Sequence, residues 1–298
     1  MVQTIILTGA SGALGRNFTQ APPAGFHLKL VSANDHMIQG GDYPSIPAAA
    51  LPKEKWDQNT SIIHFAAANP KSSLARLERV NVQFTEKIAE LAKSQGVKNF
   101  IFTSCLFGNP DHLSSKTRAE QALTELFADS DTRLVILKLP PLYGPFFKGE
   151  VQVLARLALA GVRLPLDGLG ARSPRLSAAN LIQGINQILT QEGPSGTFSL
   201  CDPENLTLGE VHEVLYQVLH PQKKGCYSFP PLAWAEKASQ VWERKYAPLS
   251  WAEGLHRIFR SEEISIPSVS ESYPLSGLQS ALRSLQSLAA WHQSLEED

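Results

Sequence analysis

The chain has 298 residues, of which 43% are hydrophobic and 18% are charged, a balance that suits a globular protein with a sizeable core. Lysine and arginine number 27 against 28 aspartates and glutamates, a net charge of −1, so no basic excess points to nucleic acid or to an anionic membrane surface. The three cysteines, Cys105, Cys201 and Cys226, are widely spaced. They predict neither a disulfide framework nor a metal site, and we expect a reducing, cytoplasmic location.

The N-terminal stretch, MVQTIILTGASG, lacks the basic start and the long apolar region of a signal peptide. No uninterrupted apolar run approaches ~20 residues. We therefore expect neither secretion nor a membrane span.

The first half of the chain alternates strand and helix patterns. The run 4-TIILTG-9 is short, apolar and β-branched, as expected of a buried parallel strand. Apolar residues repeat at helical spacing in 79–95, before Gly96, and a second helical run covers 117–128, just after Lys116. Alternating strands and helices predict βαβ units and a parallel sheet. Further strands are predicted at 27–32, 61–67, 99–104 and 133–139.

Beyond residue 145 the pattern shifts to helices joined by turn-rich segments. Thr207 and Glu210 form a predicted capping box that opens a helix over 207–219. Other helices are predicted at 150–161, 178–190 and 276–295, and a strand at 196–201.

Three glycines, Gly9, Gly12 and Gly15, follow the first strand and open a helix, the setting in which such spacing predicts dinucleotide binding. The first permits a tight turn, the second lets the backbone approach a pyrophosphate, and the third permits close packing of helix on strand. The helix N-terminus would present free N–H groups to the phosphates. An ordinary glycine-rich turn is the alternative.

These patterns together predict an α/β fold. We expect a Rossmann-type doubly wound parallel sheet over residues 1–145, with later segments around 176–200 returning to it. A smaller C-terminal α/β substrate domain would occupy 146–298, with a crevice at the carboxyl ends of the strands.

Asp35 lies ~20 residues after the last glycine, where an acid would bind the adenosine ribose of NAD. Ser32 or Asn34 could serve instead, and a solvated loop aspartate is the alternative. No arginine stands there to bind a 2′-phosphate, so the sequence favours NAD over NADP.

Several further motifs resemble the extended short-chain dehydrogenase/reductases of the NAD-dependent epimerase/dehydratase family. The glycines match that family's GxxGxxG, 62-IIHFAAA-68 resembles its strand beneath the cofactor, and 137-LKLPPLYGP-145 resembles its turn beside the nicotinamide. The resemblance implies an oxidoreductase or epimerase that acts on a nucleotide-linked sugar, and a homodimer formed by the helices at 79–95 and 116–128. It implies these cofactor-binding residues: Gly9, Ser11, Gly12, Ala13, Leu14, Gly15, Asp35, Asp42, Ala66, Ala67, Asn81, Lys116 and Pro140.

The family's chemistry uses a tyrosine that moves the sugar hydroxyl proton, a lysine one helical turn later and a serine or threonine at the end of the preceding strand. The run 115-SKTRAEQAL-123 matches the family's SKxxAExxL, so Lys116 resembles the lysine that holds the cofactor ribose; a solvated helix lysine is the alternative. His112 then stands at the tyrosine position, after a shortened loop. Ser104, with Thr103 as second choice, would hydrogen-bond the substrate oxygen.

Histidine carries protons well near neutral pH, and a neighbouring lysine would favour its neutral, basic form. Its shorter ring demands a closer approach of the backbone to the sugar. Two functions are therefore open: hydride transfer in which His112 moves the proton, or a catalytically degenerate NAD(P)- or sugar-nucleotide-binding protein with a regulatory or structural role.

Four other side chains are candidates for roles in the site. Tyr143 is a stand-in proton donor, although its turn favours a structural role. A thiol nucleophile made of Cys105 and His112 is disfavoured, because neither has a visible orienting group. Arg172 and Arg175 fall near the family arginine that binds the pyrophosphate of the sugar nucleotide, and arginine suits phosphate because it pairs with two oxygens at once.

Overall fold

The computed structural model describes residues 3–32, 43–163, 172–222, 271–272 and 279–297. Within these ranges the predicted α/β class is confirmed, because parallel strands alternate with helices along the first half of the chain. The strands are β1 Gln3–Thr8, β2 Phe26–Ser32, β3 Ser45–Pro47, β4 Thr60–His64, β5 Asn99–Cys105, β6 Arg133–Leu139, β7 Leu142–Tyr143, β8 Leu176–Ser177, β9 Gly196–Ser199 and β10 Glu271–Ser272.

Eight of these strands form one sheet in the order β3-β2-β1-β4-β5-β6-β9-β10, and every pairing in it is parallel. The strands run outward in both directions from the boundary between β1 and β4, which is the doubly wound arrangement. β4 is buried along its whole length, as a sheet covered on both faces requires. Ligands of such sheets bind at the carboxyl ends of the strands beside this boundary.

Helices cover the sheet and build the rest of the described chain. No helix in the described ranges is long and apolar enough to cross a membrane. The predicted capping box of the helix after residue 207 is confirmed: Glu210 N donates to Thr207 Oγ1 at 3.1 Å, and Thr207 N donates to Glu210 Oε2 at 2.7 Å. The helices are α1 Ala13–Gln20, α2 Leu74–Leu77, α3 Phe84–Ser94, α4 Pro110–Phe127, α5 Glu150–Leu159, α6 Ala178–Thr190, α7 Leu208–Leu219 and α8 Ala281–Glu297.

A 3-10 helix, Ala48–Lys53, follows β3 and was not predicted from the sequence. The helix predicted over 79–95 begins as a π-helical turn, Glu78–Gln83, which joins α2 to α3. π-Helical turns inside helices are rare and occur frequently at functional sites.

α4 begins at Pro110, seven residues before the helical run that the sequence predicted. The side chain of Asn109 accepts hydrogen bonds from the N–H groups of Asp111 and His112, at 3.0 and 3.3 Å. An asparagine cap, a proline at the first helical position and an acid in the first turn all favour a helix start. His112 and Lys116 therefore lie one turn apart on the same face of one helix.

The chain divides into two compact units. The first contains the described residues up to Pro140, together with Leu181–Leu200 and β10; its core packs Ile62, Phe100 and Phe102 against α3 and α4. The second contains the described residues of Pro141–Asn180 and those after Leu200 other than β10, and its core is formed by α5, α7 and α8.

Candidate active site

The glycine turn joins β1 to α1 at the carboxyl end of β1. Gly9 adopts φ +72°, and a Cβ there would lie 2.6 Å from the backbone of Phe65 and Ala66. At Gly15 an added Cβ would collide with the backbone of Gly9 and Ala10. Of the three, only Gly12 is exposed, and an added Cβ there would make a tight contact of 3.3 Å with Gly9 O without overlapping it. The roles predicted for the first and third glycines, turn formation and close packing, match this geometry.

The N-terminus of α1 is electrostatically suited to an anion. Gly12 is its capping residue, no side chain caps it, and no acid lies in its first turn. Ser11 and Gly12 are exposed, while Ala13 and Leu14 are half-buried. Backbone N–H groups and the positive end of the helix dipole therefore remain available for phosphate oxygens.

The segment after β4 passes directly beside the glycine turn. Ala66 N donates to Thr8 Oγ1 at 3.2 Å, and the neighbouring Ala67 is exposed. His64, at the end of β4, is buried between Thr8 and Thr85, with both ring nitrogens 3.0 Å from a threonine hydroxyl. Burial lowers the pKa of His64 to about 3, so this histidine is neutral and joins β1, β4 and α3.

Lys116 points from α4 into the end of the sheet and is 2% exposed. Its Nζ donates to Thr103 O at 3.0 Å and lies 4.5 Å above the ring of Phe102. Burial lowers the pKa of Lys116 to about 8, while negative charge on an ionised Cys105 or on Glu120 would act in the opposite direction. Thr103 takes one of the three ammonium donors, and no other described residue accepts a hydrogen bond from it.

Asn81 lies on the π-helical turn and is fully buried. Its Oδ1 accepts from Ala68 N at 2.8 Å, its Nδ2 donates to Ser115 Oγ at 2.8 Å, and the Ser115 hydroxyl donates to His112 O at 2.7 Å. The asparagine thus joins the segment after β4 to the first turn of α4. This geometry places Asn81 behind the candidate site, where it would orient the residues that line it.

The two hydroxyl groups predicted to serve the substrate are both engaged within the protein. Ser104 donates to Glu120 Oε1, and the other oxygen of Glu120 binds Lys138 Nζ at 3.1 Å. Thr103 donates to His64 O at 3.4 Å. The side chain brought to His112 is Cys105, whose Sγ lies 3.8 Å from His112 Nδ1.

Sequence patterns predicted no role for Glu120, and for Cys105 they suggested only a disfavoured thiol nucleophile paired with His112. Glu120 follows Lys116 by one further turn, so it shares a face of α4 with His112 and Lys116. The sequence spacing alone could therefore have predicted that Glu120 lies near the site. The sequence placed Cys105 at a strand end near His112, but the contact between them depends on the asparagine cap that starts α4 early.

Tyr143, the stand-in proton donor, belongs to the second unit and is buried there. Its hydroxyl donates to Asp202 Oδ2 at 2.6 Å, and burial, followed by the charge of Asp202, raises the pKa of Tyr143. Asp202 Oδ1 also accepts from Ser177 N at 3.1 Å and from Asn180 Nδ2 at 2.6 Å. This network joins β7, β8 and α6, which favours a structural role for the tyrosine.

Tyr143→Phe is expected to lower the free energy of unfolding by about 1–3 kcal/mol, because buried Asp202 loses a hydrogen-bond donor. Urea denaturation measures the change. Tyr216→Phe is the matched control, because Tyr216 is equally buried in the same unit and its hydroxyl makes no described hydrogen bond. Equal stability of the two variants would contradict a structural role for the Tyr143 hydroxyl.

The two candidate phosphate-binding arginines differ in their surroundings. Arg175 is buried; its guanidinium binds Glu150 Oε1 at 3.1 Å and Leu206 O at 2.7 Å. Arg172 is exposed and donates to Asn205 O at 2.6 Å and to Glu210 at 2.8 Å. Only Arg172 could turn toward a solvent-borne phosphate without breaking a buried ion pair.

The remaining predicted cofactor residues are placed as follows. Pro140 is buried at the end of β6 in the first unit. Asp35 and Asp42 lie outside the described residues. The described part of the candidate site is therefore the glycine turn, the segment after β4, the end of β5 and the first half of α4.

Curated relatives are identical to this chain at about a quarter of the aligned positions. UDP-glucose 4-epimerase of Vibrio cholerae is 27% identical over 213 residues, which cover 60% of this chain and 64% of the relative. Ceramide reductase of Caulobacter vibrioides is 24% identical over 221 residues, covering 70% of this chain and 64% of the relative. The chain thus spans less than two thirds of the length of these relatives.

Solved structures show the same fold at lower identity. The Bordetella bronchiseptica enzyme WbmG, in complex with NAD and UDP, superposes with a TM-score of 0.66 at 18% identity, over 98% of this chain and 95% of that one. UDP-glucuronic acid 4-epimerase of Bacillus cereus, in complex with NAD, gives 0.61 at 18% identity, over 85% and 94%.

The sequence also matches a model of a protein family. Residues 5–197, more than half of the chain, match the model described as the NAD dependent epimerase/dehydratase family. The match includes the glycine turn, the segment after β4, the end of β5 and all of α4. The chain therefore belongs to the NAD-dependent epimerase/dehydratase family.

Proposed function

We propose that this protein binds NAD and transfers hydride to and from a nucleotide-linked sugar. The observation that carries the proposal is Lys116, a buried ammonium with two donors that no described residue accepts, one turn after His112. Burying an ammonium whose other donors have no acceptor is costly, so a site that maintains one is built for a ligand with hydroxyl or carbonyl oxygens. The ribose of a nicotinamide nucleotide offers such oxygens.

The described residues fit the cofactor at its diphosphate as well. The uncapped start of α1 and the exposed Gly12 would receive the diphosphate, while Gly9 and Gly15 keep the turn close to the sheet. Lys116 would donate to the ribose hydroxyls. Bound there, the dinucleotide would supply the hydride acceptor. The protein's own part in the reaction is to orient both reactants and to move one proton.

NAD is preferred to NADP on two grounds. Asp35 would repel a 2′-phosphate and accept hydrogen bonds from ribose hydroxyls. The similar WbmG and Bacillus cereus structures were determined with NAD.

The sugar would be carried on a nucleotide diphosphate. This part of the proposal is supported by the similarity to a UDP-glucose 4-epimerase and to a structure that contains UDP. Arg172 is the better candidate for the diphosphate of the substrate, because Arg175 is engaged by Glu150. Epimerisation, reduction and dehydration all begin or end with hydride transfer, and the proposal extends to that shared step.

The test starts with protein stripped of nucleotide. NAD and NADP are titrated by calorimetry, and the NAD complex is then mixed with UDP- and dTDP-hexoses while the absorbance of reduced nicotinamide and the sugar products are followed. We expect saturable NAD binding and either reduced cofactor or a converted sugar. Binding without reaction for every sugar would leave the catalytically degenerate alternative, and absence of binding would overturn the proposal.

A homodimer through the helices at 79–95 and 116–128 also belongs to the proposal. Its support is family resemblance, and light scattering during gel filtration tests it. A monomer at micromolar concentration would contradict it.

A further inference from the structure

Three polar side chains, Thr103, Ser104 and Cys105, end β5. Successive side chains of a strand point to opposite faces of the sheet, so Ser104 cannot share a face with the other two. Ser104 turns to Glu120, which also binds Lys138. The Thr103 hydroxyl turns back to His64 O. Neither hydroxyl is therefore directed at His112.

Cys105 is the strand-end side chain that meets His112. Its Sγ lies 3.8 Å from His112 Nδ1, within the range of a sulfur hydrogen bond, and its thiol is free and half-buried. Elsewhere in the described chain no hydrogen-bond partner of this thiol is found. A backbone hydrogen bond to Ala68 also acts on His112, so the ring is held on one side by the segment after β4 and on the other by the thiol.

The charged groups that face this pair come from two elements. Lys116 and Glu120 project from α4, and Lys138 projects from β6; all three act on the Cys105 thiol. Burial raises the pKa of Cys105 and lowers that of His112. Both effects favour an uncharged thiol beside an uncharged imidazole. A neutral His112 ring can accept a proton at Nδ1.

We propose that Cys105 and His112 act together as the proton-transfer pair of this site. The Cys105 thiol would contact the reacting oxygen of the sugar, the position expected for a strand-end serine or threonine hydroxyl. This inference rests on the proposed function. In the oxidation direction the sugar hydroxyl gives its proton to sulfur, the thiol proton passes to Nδ1, and the carbon gives its hydride to the nicotinamide. A carbonyl, a reduced nicotinamide and one imidazolium result, so protons and electrons balance.

Five single variants and one double variant test the pair in the NAD-bound protein. Cys105→Ala and His112→Ala should each lower kcat by at least about 100-fold, and the double variant should lose little more, because partners in one step are not additive. Cys105→Ser should recover most of the loss. Ser104→Ala should lose less than Cys105→Ala, and Cys201→Ala in the second unit is the unaffected control. Full kcat in Cys105→Ala, or a larger loss in Ser104→Ala, would overturn the pair.

A second readout does not depend on turnover. Alkylation of each cysteine by iodoacetamide is followed by peptide mass spectrometry in the protein without ligands, across a range of pH. His112→Gln should shift the pH profile of Cys105 alkylation and leave that of Cys201 unchanged. An identical Cys105 profile in both proteins would overturn the pair, whereas a shifted profile in a protein without hydride transfer would refute the proposed function and keep the contact.

Discussion

Lys116→Met is expected to abolish hydride transfer while leaving the protein at least as stable as the native chain. The ammonium would hold the cofactor ribose and, together with burial, its charge lowers the pKa of His112. We therefore expect kcat/KM to fall by at least about 100-fold. Methionine fills a similar volume beside Phe102 without a charge. Steady-state kinetics and urea denaturation on the same preparation measure the two effects.

The stability half of this prediction follows from the pKa of Lys116. Burial lowers it from the ordinary 10.5 to about 8, a difference equivalent to about 3 kcal/mol against the folded charged form. Removing the charge recovers that free energy, while the unpaired Thr103 carbonyl costs about 1–3 kcal/mol. The net change in the free energy of unfolding should lie between zero and about 2 kcal/mol of gain.

The pH dependence has a definite sign. Below the folded pKa of about 8, the lysine is protonated in both states and the destabilisation is complete. As pH rises from about 8 toward 10.5, the folded state releases its proton first, so the native chain gains stability relative to Lys116→Met. Lys98→Met, at an exposed position before β5, is the control. A variant that is both inactive and much less stable would mean that Lys116 is structural.

The strand and helix periods were sufficient to predict the doubly wound sheet, because its central strands are short apolar runs between amphipathic helices. β3 escaped prediction, since it has only three residues and acquires strand geometry by pairing with β2. The early start of α4 could have been read from Asn109 and Pro110, whose cap and first-turn chemistry is local. Helical periodicity does not indicate this early start, because the first turn of α4 carries few apolar residues.

The candidate site was less predictable for a different reason. The roles of its polar side chains depend on partners that are distant in the chain: Tyr143 meets Asp202 across 59 positions, and Arg175 meets Glu150 across 25. Sequence spacing cannot show that a hydroxyl or a guanidinium is already engaged. The same limit applies to Ser104, which the sequence favoured over Cys105. In the structure Ser104 donates to Glu120, and it is Cys105 that contacts His112.

Gly12→Ala and Gly15→Ala are expected to separate cofactor binding from folding. At Gly12 the backbone is extended, with φ −75° and ψ 169°, and an added methyl meets nothing closer than Gly9 O at 3.3 Å. We expect the free energy of unfolding without cofactor to change by less than about 1 kcal/mol. The methyl would occupy the space through which the diphosphate approaches the amides, so the Kd for NAD should rise by at least about 100-fold.

Gly15→Ala should mainly reduce the stability of the fold, in contrast to Gly12→Ala. Its Cβ would collide with the backbone of Gly9 and Ala10, which cannot move without displacing α1 from β1, so a loss of about 3 kcal/mol or more is expected. Gly149→Ala is the control, because nothing lies within 4 Å of an added Cβ there. Calorimetric titration with NAD and urea denaturation separate the outcomes. If Gly12→Ala bound NAD as the native protein does, the diphosphate would have to lie away from this turn, and Lys116 would then need another ligand to explain its burial.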